Sequence, residues 1–169
     1  MEKNIVLIGM MGSGKTTVGR LLARRLGREL ADTDALIEQR TGRSIPDIFA
    51  RDGEPAFRAL ELELCRELSG REGLVIACGG GLPMQEEAIA ALKENGLVFW
   101  LDRDPGETYG GLDVSGRPLA QGGREEFLER YARRSPIYRR WADFILVRPE
   151  SPEYAQSRIF TIYTEVCQA

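Results

Sequence analysis

The chain has no histidine among its 169 residues. That absence removes imidazole as a general base, a metal ligand or a triad member, so proton transfer must use carboxylates, lysine or water. Cysteine is scarce. Cys65, Cys78 and Cys167 are odd in number, far apart and without a C-x-x-C, which reads as buried or incidental thiols in a reducing compartment, not a disulfide frame or a zinc site. No apolar run approaches the ~18 residues of a membrane span. The first apolar run begins at Ile5, which leads us to expect no signal or transit peptide, a cytoplasmic location and no membrane partner. Positive charge is not in excess either: the net charge is −3, which argues against a broad nucleic-acid surface while allowing local basic patches. With 43% hydrophobic and 29% charged residues, the composition is that of an ordinary soluble chain, and its length predicts one domain over residues 1–169.

What the chain does have begins at once. The apolar run Ile5-Val6-Leu7-Ile8 ends in Gly9, residues 9–16 read G-x-x-x-x-G-K-T, and Val18, Leu21, Leu22 and Leu26 then recur at helical spacing. Strand, glycine loop and helix in that order form the context a phosphate-binding P-loop requires. Glycines at 9, 12 and 14 let the backbone wrap a phosphate closely, with N–H groups turned inward beside the positive end of the following helix. Gly12, Ser13, Gly14, Lys15, Thr16 and Thr17 are thus the nucleotide-binding candidates. Lys15 brings a full charge to the β- and γ-phosphates, and the Thr16 hydroxyl is a Mg²⁺ ligand candidate.

Downstream, short apolar runs alternate with helical patterns. Residues 28–34 read as a brief strand ending in Asp32-Thr33-Asp34, and alternation would set both carboxylates on one side of its C-terminal end. Helix is expected over 35–40 with Gly42 as the stop, and again from an N-cap at Ser44. Phe57, Leu60, Leu64 and Leu68 predict a helix from Pro55, residues 74–78 a buried strand, 85–95 a helix closed by Gly96, and 97–101 another buried strand. Residues 104–123 break the rhythm with glycines and Arg117-Pro118-Leu119, and read as a mobile loop. Helix returns over 125–139, where Pro136 should bend or end it near Ser135; a strand at 144–147 and a helix at 154–166 close the chain. Five strands alternating with helices predict a parallel sheet covered on both faces, a three-layer α/β/α domain whose ligands sit beyond the strand C-termini.

Chemistry can be placed on that rim. Asp32 could hold Mg²⁺ through a water and Asp34 could accept a hydrogen bond from an acceptor hydroxyl; alternatively one or both cap the next helix. Gly79-Gly80-Gly81 offers unshielded backbone N–H groups at a strand end, suited to close approach by a small ligand. Six arginines stand against three glutamates between Arg124 and Arg140, and Arg58 and Arg117 lie elsewhere; bidentate arginines suit carboxylates and phosphates. Closure of the glycine-rich loop would exclude water and carry Arg117 to the transferring phosphoryl.

Taken together, the P-loop, Asp32-Thr33-Asp34, residues 41–45 with Ile48-Phe49, Phe57-Arg58 with Glu61, Gly79-Gly80-Gly81, Arg117-Pro118-Leu119 and Arg134-x-Pro136-x-Tyr138 resemble the shikimate kinase family, in family order and across nearly the whole chain. The resemblance implies a P-loop, nucleoside-monophosphate-kinase-like fold with sheet order 2-3-1-4-5, a substrate-binding region over about 33–60 and a lid over about 110–123. It implies ATP- and Mg²⁺-dependent phosphorylation of the 3-hydroxyl of shikimate by a monomer, in the route to aromatic amino acids. It further implies that Asp34 holds shikimate hydroxyls and is the candidate base. Arg58 and Arg134 would bind the substrate carboxylate, with Gly79, Gly80 and Gly81 as the backbone contact region. Arg117 would reach the nucleotide phosphates, Asp32 would be the outer-shell magnesium carboxylate, and Ser151 in the 148–152 segment would lie on the adenine side. One departure stands out: Gly110-Gly111 occupies the place where several relatives carry an arginine that stacks on adenine.

Other readings share some of these features. A gluconate-type sugar-acid kinase or a nucleoside monophosphate kinase would have the same loop and lid, but Asp34, Arg58, Gly80 and Arg134 suit a small hydroxylated acid better than a base. A GTP-dependent switch would need more than Asp113-Val114-Ser115-Gly116, which follows no apolar strand, and the chain has no N-K-x-D. A nucleotide-binding protein without catalysis is opposed by the intact Lys15, Thr16 and Asp34.

Overall fold

The computed structural model describes residues 2–112 and 122–168. Its centre is a five-stranded parallel sheet in the order β2-β3-β1-β4-β5, as the resemblance implied. The strands are β1 (Asn4–Ile8), β2 (Leu30–Asp32), β3 (Val75–Ala77), β4 (Gly96–Asp102) and β5 (Phe144–Val147). The helices are α1 (Lys15–Leu26), α2 (Thr33–Thr41), α3 (Ile45–Asp52), α4 (Glu54–Ser69), α5 (Glu86–Glu94), α6 (Pro105–Gly110), α7 (Gly123–Trp141) and α8 (Pro152–Gln168). Alternation along β1 explains the layers. Ile5 and Leu7 enter one core with Val18 and Leu22 of α1 and Ile159 of α8. Val6 and Ile8 enter the other with Leu64 of α4, Ile89 of α5 and Tyr138 of α7. A strand buried on both faces has to be apolar throughout, which is why the runs in β1, β3 and β4 lack a polar period.

Several boundaries differ from the sequence expectations, each for a local reason. Strand β2 stops at Asp32, whose carboxylate accepts the Ala35 amide at 3.1 Å and so begins α2 two residues early. Asp34 therefore stands in the first turn of a helix and not at a strand end. Gly96 does not close α5; it opens β4, where a Cβ would lie 2.5 Å from the Leu92 carbonyl and 2.7 Å from Val6. The rhythm after Asp104 is not loop throughout, because Asp104 caps the short helix α6 through the Glu107 amide at 3.0 Å. Finally, α7 runs on through Pro136. Proline removes the amide that would have bonded the Ala132 carbonyl, and the Ser135 hydroxyl donates to that oxygen at 3.5 Å instead.

Candidate active site

The C-terminal ends of β1, β2 and β3 open onto one cleft of about 470 Å³. Its walls include Gly12, Gly14, Lys15, Thr16 and Thr17 on the nucleotide side. Asp32, Asp34, Arg58 and Gly79–Gly81 line it on the other side. The P-loop is built as its glycines require. Gly9, Gly12 and Gly14 have φ of 147°, 77° and 94°, the region where a side chain is strained. Gly14 is the N-cap of α1 with no side-chain cap and open space around it, so a twelve-residue helix presents its positive end to the cleft. Ser13 is buried, and its hydroxyl has no partner among the described residues, a donor held ready for an anionic oxygen. Lys15 lies over the loop, its Nζ donating to the Gly9 carbonyl at 2.8 Å and the Met10 carbonyl at 2.7 Å.

Next to the loop, the Thr16 hydroxyl donates to Asp32 Oδ2 at 2.6 Å, while Asp32 Oδ1 caps α2. One oxygen of the Asp32 carboxylate thus caps α2 while the other holds the Thr16 hydroxyl. Among the described residues no cluster of three or more carboxylates or thiolates gathers here. A hydroxyl beside a single carboxylate suits a hard cation that keeps its waters and takes phosphate oxygens as further ligands, as Mg²⁺ does.

The acceptor wall depends on the three glycines. A Cβ on Gly79 would fall 2.6 Å from Asp34 Oδ1, one on Gly81 would overlap the Arg58 guanidinium, and one on Gly80 would lie 3.1 Å from the Met11 amide and 3.5 Å from Arg134 Nη1. The triplet is therefore the floor over which one carboxylate and two guanidiniums converge. The Gly79 amide donates to Thr33 Oγ1 at 2.9 Å, and the Gly80 carbonyl accepts the Tyr138 hydroxyl at 2.6 Å. The sequence candidates in this wall are brought together, with Arg134 buried and its Nη1 unpartnered among the described residues. Arg117 lies in residues 113–121, outside the described residues, as does most of the expected lid.

Electrostatics set the wall's character. Burial pushes the Asp34 carboxyl above the usual carboxylate range, and the nearby Asp32 adds to this, while Lys15 and Arg58 oppose it. Glu61 is fully buried on α4; its Oε1 accepts from Arg58 Nη1 at 2.7 Å and its Oε2 has no partner among the described residues. Burial pushes Glu61 up to about 7, against the pull of Arg58. Glu61 entered the sequence reading only as part of a motif; its i, i+3 spacing from Arg58 was the signal that it orients that guanidinium. Of the cysteines, Cys65 and Cys78 are buried and Cys167 is exposed, and none is in a disulfide.

Behind the P-loop, Ser13, Gly14, Arg103 and Ser151 line a separate cavity of about 60 Å³. Ser151 accepts the Tyr154 amide at 3.0 Å and so also begins α8. Arg103, at the end of β4, had no motif to single it out. At the near edge of the lid, Leu112 fills the space where a Gly12 side chain would stand, 2.5 Å from a Cβ there.

Comparison with known proteins decides the family. The family model for shikimate kinase matches residues 11–166. The chain belongs to the shikimate kinase family. Shikimate kinase of Methylococcus capsulatus is 42% identical over 169 residues, covering 96% of this chain and 93% of the relative. That of Pelotomaculum thermopropionicum is 56% identical over 103 residues, 61% of this chain and 60% of the relative. Among solved structures, shikimate kinase from Acinetobacter baumannii in complex with shikimate has a TM-score of 0.93 at 35% identity, over 98% of this chain and 94% of the other. The Aquifex aeolicus shikimate kinase has a TM-score of 0.82 at 37% identity, over 96% of both chains. As a shikimate kinase, the chain is a phosphotransferase acting on a hydroxyl of shikimate, with ATP as donor and Mg²⁺ as the usual cofactor. The non-catalytic and sugar-acid alternatives are not favoured.

Proposed function

We propose that this shikimate kinase transfers the γ-phosphoryl of ATP to the 3-hydroxyl of shikimate, with Asp34 at the reacting hydroxyl and Arg58 and Arg134 at the carboxylate. The observation that carries the reading is the glycine floor, which sets Asp34, Arg134 and Arg58 on consecutive residues of one strand end. A hydroxylated ring carrying one carboxylate has complementary groups, and a floor without side chains of its own lets it approach closely.

Each residue then has a task. Lys15 and the N-terminal amides of α1 balance the charge on the β- and γ-phosphates, and the buried Ser13 hydroxyl donates to an oxygen beside them. Thr16 and Asp32 would hold Mg²⁺, which when bound neutralises charge on the phosphate oxygens. Asp34 accepts the hydrogen bond of the acceptor hydroxyl and takes its proton as the new bond completes. Its raised pKa makes it a better base than an exposed aspartate. Arg58, held by Glu61, and Arg134, beside the Gly80 floor, fix the acceptor's orientation, which for so loose a transition state is a large part of catalysis. Arg117 is proposed, on the resemblance alone, to meet the nucleotide phosphates, and Ser151 to lie at the adenine side.

We also propose that the protein works as a cytoplasmic monomer. No helix among the described residues is long and apolar enough to cross a membrane. Of the described large hydrophobic residues only Val147, Tyr154 and Val166 are exposed. The regiochemistry is tested by phosphorus–proton correlation spectra of the product. Coupling of the new phosphate to H3 of the ring is expected; coupling to H4 or H5 would overturn the assigned orientation.

A further inference from the structure

Helix α7 carries a second buried guanidinium that the reaction as described does not use. Arg130 lies one helical turn N-terminal to Arg134, on the same face of α7, and the two are 7% and 8% exposed. Arg130 Nη2 donates to Glu126 Oε1 at 2.7 Å, one turn further back, and its Nη1 is buried without a partner among the described residues. Arg134 Nη1 is in the same condition. Two buried guanidiniums one helical turn apart, each with a donor unpartnered among the described residues, are an unfavourable arrangement. Burial and the repulsion of Arg134 both push Arg130 below the ordinary arginine range, which is the sign of uncompensated positive charge. Glu126 compensates little, since its own side chain is about half exposed.

The charges around the acceptor wall make the imbalance specific. Arg58, Arg130 and Arg134 stand against Glu61, Glu126 and Asp34, burial favours the neutral form of Glu61 and Asp34, and Tyr138, whose hydroxyl holds the Gly80 carbonyl, feels both Arg130 and Arg134. An acceptor carboxylate would supply oxygens for the unpartnered Nη1 groups of Arg130 and Arg134. Buried guanidinium N–H groups that only a ligand can pair place part of their energy in recognition and not in folding.

We propose that Arg130 is a specificity-determining residue of the acceptor site, a second α7 guanidinium that acts with Arg134 on the carboxylate end of the acceptor. The inference rests on the shikimate kinase reading above. Glu126 positions Arg130 from behind, as Glu61 positions Arg58.

The test compares shikimate with its methyl ester, which lacks the carboxylate charge, in wild type, Arg130→Met and Arg130→Lys. For Arg130→Met we expect KM for shikimate to rise about tenfold or more while KM for ATP stays within about twofold. The preference of the enzyme for the acid over the ester should shrink by a similar factor, and Tm should hold or rise because a buried, incompletely paired charge has gone. Arg130→Lys should restore part of the preference, since it keeps the charge but not the planar fork. An unchanged acid-to-ester preference in Arg130→Met or, if that variant does not fold, in Arg130→Lys overturns the proposal and leaves Arg130 a packing residue. Absence of shikimate-dependent ADP release in the wild type would instead overturn the underlying reading.

Discussion

Gly79 and Asp34 share one space: a Cβ on Gly79 would fall 2.6 Å from Asp34 Oδ1. Gly79 has no positive φ, so it is glycine because the carboxylate beside it needs the room, not because the backbone is unusual. Gly79→Ala should therefore fold normally and displace Asp34. We expect kcat to fall about a hundredfold, since displacing a reacting group by around an ångström costs about that much, with Tm changed little. Steady-state kinetics with a melting curve check this; a wild-type kcat would mean that Asp34 tolerates displacement.

Much of this wall was legible before any coordinates. The P-loop followed from a motif whose residue types have one good physical use, while the sheet order and the set Asp34, Arg58, Gly79–Gly81 and Arg134 were implied by the resemblance to the shikimate kinase family. What was not legible was the route by which they meet. Asp32 ends β2 by capping α2, so Asp34 arrives from a helical turn, and no strand-alternation argument could show that. Gly96 looked like a helix stop because its real constraint, the approach of Val6 and Leu92, is tertiary. That α7 continues through Pro136, with the Ser135 hydroxyl near the carbonyl the proline leaves free, is a local outcome that the presence of a proline does not foretell. Arg130 was one of six arginines on a helix, and only burial sets it, with Arg134, apart from the other four.

Removing the base separates chemistry from binding. Asp34→Asn keeps the shape and hydrogen-bonding capacity but cannot take the proton, and turnover should fall by about 10²–10⁴. ATP affinity, measured by calorimetry, should stay within a few-fold of wild type because the P-loop is untouched. Near-normal turnover would remove Asp34 from its assigned role.

Arg58 and Arg134 are expected to act mainly on the acceptor. Truncating either to alanine removes a charged, bidentate-capable contact and should weaken acceptor binding by roughly 2–4 kcal/mol. KM for shikimate reports it, and KM for ATP is the internal control. A rise in KM for ATP alone would assign the residue to the other half of the cleft.

Glu61 links the site to stability through pH. Its carboxyl is raised from 4.5 to about 7 in the folded chain, so between those values the native state holds a proton that the unfolded chain has released. Stability should therefore be greatest below that window and decline as pH rises through it. Asp34, also raised, tilts the curve the same way. In Glu61→Gln the decline of Tm between pH 5 and pH 7.5 should flatten. Parallel Tm curves for the two proteins would show that Glu61 does not take up the proton.

The central claim is that this cleft selects a small hydroxylated carboxylic acid and phosphorylates it from ATP. An assay of ADP release with shikimate, quinate, gluconate and AMP as competing acceptors addresses it directly. Turnover is expected with shikimate, weaker or absent turnover with quinate, and none with gluconate or AMP. ADP release that depends only on gluconate or AMP would contradict the account.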